Sequence, residues 1–132
     1  MDDLFNKYKA EIKEDLDLDE FNLKDTQLRL PSIKHKWVAR LIEQKIERAK
    51  LKELRVLTID KAIEVVRASS PVSLSDRSAR TEAERSEMIQ KIDNQIDMCD
   101  IIIEYLEKVE VVCRNTTFDI KNVIEIKKQE LT

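Results

Sequence analysis

The chain contains no glycine, where average usage of about 7% would place roughly nine. Tight turns with positive φ, phosphate-cradling loops and dinucleotide fingerprints all lean on glycine, so their chemistry is not expected here. Histidine occurs once. His35 lies between Lys34 and Lys36, with no cysteine, aspartate or second histidine at metal-ligand spacing, and reads as an exposed or capping residue. The two cysteines, Cys99 and Cys113, fall on one expected helix about 21 Å apart, too far to be bridged within it. With no histidine beside them they read as small hydrophobes rather than nucleophiles. Nothing meets the first geometric requirements of an active site, so neither an enzyme nor a metal or organic cofactor is expected. The longest apolar runs are too short to span a membrane. The lack of a signal peptide points to the reducing cytoplasm.

What the chain does have is charge, which makes up 39% of its 132 residues against 5% aromatics. That composition suits long exposed helices that bury apolar stripes against copies of themselves. The charge is unevenly placed. From Pro31 to Ala68, Lys34, Lys36, Arg40, Lys45, Arg48, Lys50, Lys52, Arg55, Lys61 and Arg67 oppose five acids, while the stretches on either side are each net acidic. Lys45, Arg48, Lys52 and Arg55 follow a 3-4-3 spacing that puts them on one helical face. Like charges so placed want an anionic counterpart. Two remain open: a nucleic-acid backbone bound through its phosphates, or the acidic stripe of Asp93, Asp97, Asp100, Glu104 and Glu107 in the same chain.

The periodicity predicts an all-α fold, a long antiparallel helical hairpin within a single helical domain spanning residues 1–132. Leu4, Phe5, Tyr8 and Ile12 mark a short N-terminal helix, and the alternation of Asp15-Leu16-Asp17-Leu18-Asp19 an extended acidic arm, together filling residues 1–30. Pro31 suits a first helical turn with Ser32 as a possible N-cap, opening a basic helix over 31–68. Serines and Pro71 make 69–79 a linker; beside it Arg77, Arg80 and Arg85 either extend the positive surface or neutralise Asp76, Glu82, Glu84 and Glu87. Ile89, Ile92, Ile96, Cys99, Ile103 and Leu106 give a heptad seam on an acidic helix over 80–114. Met98, Ile102, Tyr105, Val109 and Val112 add a second stripe that calls for a second contact. Asn115-Thr116-Thr117 marks a point of interruption or re-capping before a C-terminal assembly segment over 115–132. Ile103, Leu106, Val109, Phe118, Ile120, Val123 and Ile124 are the candidate subunit contacts. Trp37, bordering the face of Lys34 and Lys45, is either a core aromatic or an exposed indole that stacks on a base.

Three runs now resemble a known family. LPSIKHKW (Leu30 to Trp37), DLDLDEFNL (Asp15 to Leu23) and RNTTFDIKNVIE (Arg114 to Glu125) look like the UvsY recombination mediators of T4-like phages. The resemblance implies a ring-like homo-oligomer of roughly six to eight subunits in the cytoplasm of the infected bacterium. It further implies binding to single-stranded DNA, contact with a RecA-type recombinase and with a single-strand-binding protein, and help for the first in replacing the second. Relatives carry basic residues before a tyrosine pair and a glycine turn at the end of the long helix. Here only Lys61 and Arg67 keep positive charge in that region, which spreads the expected phosphate contacts toward Lys45, Arg48, Lys52 and Arg55, with Lys34, Lys36 and Arg40 beyond them. The competing reading is a coiled-coil scaffold or adaptor acting through protein contacts alone.

Overall fold

Four helices make up the computed structural model, which describes residues 2–19 and 21–131: α1 (Asp2–Asp15), α2 (Leu23–Ser69), α3 (Asp76–Glu84) and α4 (Glu87–Glu130). No strand occurs among the described residues. Met1, Glu20 and Thr132, assigned above to the N-terminal helix, the arm and the C-terminal segment, lie outside them. The contacts divide the chain into two compact units, one of residues 1–43 with 102–132 and the other Gln44–Ile101. Both α2 and α4 contribute to each unit, and within each their segments pack antiparallel.

In the first unit α2 begins eight residues before Pro31, which therefore sits inside the helix rather than in its opening turn. The cause is an uninterrupted stripe. Leu23, Thr26, Leu30, Ile33, Trp37 and Leu41 are all buried at 3-4-3-4-4 spacing, and Leu23 and Leu30 form a cluster with Ile120 of α4. Burying two leucines stabilises by roughly 3 to 6 kcal/mol, enough to offset about 3 kcal/mol for an interior proline that removes a helical hydrogen bond. The acidic arm correspondingly shrinks to a turn. The Asp19 carboxylate accepts from the backbone N–H groups of Phe21 (2.7 Å) and Asn22 (3.0 Å), while Asn22 Oδ1 accepts from Asp19 N–H at 2.8 Å. This reciprocal arrangement satisfies the N–H groups of the turn, that of Asn22 just before α2 among them. Leu16 and Leu18 then pack on the Leu23, Leu30 and Ile120 cluster, so the alternating leucines find their surface within the same unit.

At its other end α4 runs through Asn115-Thr116-Thr117 without a break. Thr116 Oγ1 donates to Val112 O (2.8 Å) and Thr117 Oγ1 to Cys113 O (3.4 Å), so both hydroxyls are satisfied by the preceding turn and need not leave the helix. The buried seam continues as Cys99, Ile102, Leu106, Val109, Cys113, Thr116 and Ile120. It takes Ile102 in place of the expected Ile103.

The second unit holds the chain reversal. Ser70-Pro71 ends α2, and Ser75 caps α3, its Oγ accepting from Ser78 N–H at 3.2 Å. The expected linker is thus partly helical, and the helix expected from residue 80 is two helices, α3 and α4, separated at Arg85-Ser86. Ala79 and Ala83 are fully buried; their small side chains let α3 approach closely, and Ala83 packs with Ile59 and Ile89, flanked by Ala62, Ile63 and Val66.

Candidate nucleic-acid interface

The basic stripe of α2 lies in the second unit, and the structure divides it. Arg55 Nε donates to Asp93 Oδ1 at 2.6 Å and its Nη2 reaches Oδ2 at 3.4 Å. One heptad earlier on α2 and one later on α4, Arg48 presents the same two nitrogens to Asp100. These are two rungs of one antiparallel register. The hydrogen bond that Arg55 donates to Asp93 holds the guanidinium above its usual range, against a desolvation that lowers it. Arg67 pairs with Asp76 at the start of α3. Within the loop and α3, Arg80 pairs with Glu84 and Arg85 with Glu82, so Arg80 and Arg85 neutralise local acids.

Lys50, Lys52 and Lys61 are exposed and carry no ion pair to a described residue; Lys45 is exposed as well. Lys50 was missed as a site residue by the stripe argument, because it belongs to another face. Ile46, Lys50, Leu54, Leu57, Lys61 and Val65 recur at intervals of three and four residues and are all exposed. Part of that face forms an open groove of about 480 Å³ lined by Leu54, Lys61, Val65 and Met88 among others. The signal was present in the sequence as that spacing, but it is indistinguishable there from a buried apolar face.

The residues proposed at the start of the basic helix are engaged otherwise, in the first unit. Trp37 is 2% exposed. Its Nε1 donates to Asp15 Oδ2 (3.0 Å), its ring meets Tyr8 edge-on at 5.5 Å, and the Arg40 guanidinium lies 4.8 Å from its centroid. No face of the indole is left for a base, so the stacking role is corrected to a core one. Arg40 reaches Glu11 at 2.5 Å, and Lys36 reaches Asp15 at 2.5 Å and Glu11 at 3.5 Å. Arg40 holds the Glu11 carboxyl below the usual carboxylate range, chiefly by that hydrogen bond. Lys34 Nζ donates to Thr117 Oγ1 at 2.8 Å. These four residues tie α1 and α4 to α2.

Of the expected subunit contacts, Leu106, Val109 and Ile120 are buried in the chain's own core and cannot also face a neighbour. Ile103, Val123 and Ile124 are half-buried, the last two against the Leu23 cluster. Phe118 is 58% exposed, and Val111, Val112 and Ile126 are exposed on the same helix. Both cysteines are buried, and burial pushes both thiols up. No group of metal-ligating side chains occurs among the described residues, and no helix of these is long and apolar enough to cross a membrane.

The family model described as "Recombination, repair and ssDNA binding protein UvsY" matches residues 11–131. The chain belongs to the UvsY family. No curated protein matches it by sequence. Its UvsY fold is similar to crystal structures of the bacteriophage T4 recombination mediator protein UvsY in three lattice types. For lattice type IV the TM-score is 0.82 at 14% identity, covering 95% of this chain and 97% of that one. Lattice types II and I give 0.80 and 0.76, also at 14% identity, over 96% and 92% of this chain and 97% of the other. At that identity the likeness is one of fold, and the UvsY architecture survives almost complete replacement of its side chains.

Proposed function

We propose that this chain is a recombination mediator that binds single-stranded DNA along α2 and helps a RecA-type recombinase replace single-strand-binding protein. It acts without catalysis, as a ring-like homo-oligomer, in the cytoplasm of a phage-infected bacterium. The observation that carries the reading is the exposed lysine set of α2, Lys45, Lys50, Lys52 and Lys61, on a chain of net charge −3 in the UvsY family. Phosphate attraction is then concentrated on one helix, on the face of Lys45 and Lys52 and on that of Lys50 and Lys61, rather than spread over the surface. Arg48 and Arg55 lie on the first of these faces, and they and Arg67 share their charge with carboxylates. Exposed Phe118, Val111, Val112 and Ile126 supply the apolar surface for a neighbouring subunit. Repetition of weak strips around a ring multiplies them by effective concentration, and a strand held by many weak contacts can be handed over contact by contact.

The test is fluorescence anisotropy of labelled oligo-dT at low and high salt, with wild type and the K50A/K52A/K61A variant, after both are sized by light scattering. Losing three phosphate contacts should flatten the dependence of log K on log salt by about 2 per subunit engaged. Unchanged affinity in a variant that still assembles would remove these lysines from the interface. The Arg48–Asp100 and Arg55–Asp93 pairs favour the second reading, a scaffold whose basic and acidic stripes serve only each other. It gains if wild type of the same size binds no DNA at low salt.

A further inference from the structure

A guanidinium offers a planar fork of N–H donors, and carboxylate and phosphate oxygens are interchangeable partners for it. In the second unit two such forks are already filled from within the chain. Arg55 gives both Nε and Nη2 to Asp93, and Arg48 gives the same pair to Asp100. Neither fork is hidden, since the side chains of Arg55 and Arg48 remain 28% and 32% exposed and those of Asp93 and Asp100 42% and 47%. Lys52, between them on the same face, carries no such partner among the described residues.

We propose that Asp93 and Asp100 are built-in competitors of the DNA phosphates, which set how tightly α2 holds a strand and how fast it lets go. The inference rests on the single-strand-binding reading above. Exposed ion pairs are weak, worth about a fivefold preference at most, so the carboxylates do not bar a phosphate from the guanidinium. They weaken its hold. Being fixed on α4 opposite each arginine, they also stand ready at high effective concentration to reclaim the fork when a phosphate lifts. A strand can then leave in steps, each arginine passing to its aspartate without an interval of unpaired charge. Lys52 supplies attraction throughout, whereas the two arginines grip conditionally.

The experiment compares wild type, D93N/D100N and the arginine variants for affinity and dissociation rate on oligo-dT. Asparagine keeps the shape of aspartate while removing its charge, so the hairpin is retained and helicity is checked by circular dichroism. Freed guanidiniums should tighten binding about tenfold, slow dissociation correspondingly and steepen the salt dependence by about 1.4, the amount for two added single-strand contacts. A double-mutant cycle separates competition from the general gain of removing negative charge. In the R55Q background D93N should gain only that general part, because no fork is left to release. If D93N gains as much with Arg55 absent as with it present, or if D93N/D100N binds no tighter than wild type, the proposal is overturned. Should the double variant lose helicity, D93N and D100N singly carry the same expectation at about threefold each. Failure of wild type itself to bind oligo-dT at low salt would instead remove the reading on which the proposal rests.

Discussion

Replacing Trp37 by phenylalanine decides between the two roles that its position allows. In the structure the indole Nε1 donates to Asp15 Oδ2 at 3.0 Å and the ring lies between Tyr8 and the Arg40 guanidinium. Phenylalanine keeps an aromatic face for Tyr8 and Arg40 but removes the donor and part of the ring. A hydrogen bond to a charged acceptor contributes about 1.5 to 3 kcal/mol. Asp15 retains Lys36 at 2.5 Å, which favours the lower end. The smaller ring leaves a gap in a tightly packed site, adding about 1 kcal/mol. Together W37F should lose about 2 to 3 kcal/mol in urea unfolding followed by circular dichroism, with oligo-dT affinity of the folded protein unchanged within twofold. A stacking tryptophan would behave oppositely, with stability kept and affinity reduced by the smaller stacking face. A stability change below about 0.5 kcal/mol would refute the core assignment and the hydrogen bond on which it is built.

Thr26 is fully buried and its Oγ1 has no partner among the described residues, so T26V, which replaces the hydroxyl by a methyl of similar size, should raise stability by about 1 kcal/mol; a lower urea midpoint would show that the hydroxyl is satisfied. Glu11, held below the usual carboxylate range chiefly by its hydrogen bond with Arg40, stabilises the docking of α1 while it is ionised in both states and ceases to as pH falls through its lowered folded-state range. Acid titration of the Trp37 fluorescence should therefore show a transition below the usual carboxylate range that E11Q abolishes, since Lys36 and Arg40 then face no titrating Glu11. Persistence of the transition in E11Q would assign it to another carboxyl.

The helical class and the pair of long helices were legible because helix periodicity is written locally, and the missing glycines removed most alternatives. Helix boundaries were less so. Pro31 looked like a start because proline is tolerated in a first turn, yet the buried stripe that overrides it needs Ile120, ninety residues away in sequence, to be worth burying. The Asp19 and Asn22 turn was hidden by an alternation that resembles a strand as much as an arm. Asn115 to Thr117 looked like a break because a threonine's local bonding to the preceding turn leaves no trace in composition.

The candidate site shows the same division. Sequence alone determined that the positive charge is concentrated on one helix, that an acidic stripe of matching period exists on another, and that no catalytic constellation is spelled out. These are properties of spacing along single helices. Only the tertiary structure decided that Arg48 and Arg55 meet Asp100 and Asp93, that Arg40, Lys36 and Trp37 are spent on α1, and that Lys50 and Lys61 share an open face. Which cation meets which acid depends on the register and rotation of one helix against another, and both are set by the burial of apolar side chains on the facing sides rather than by the charges themselves.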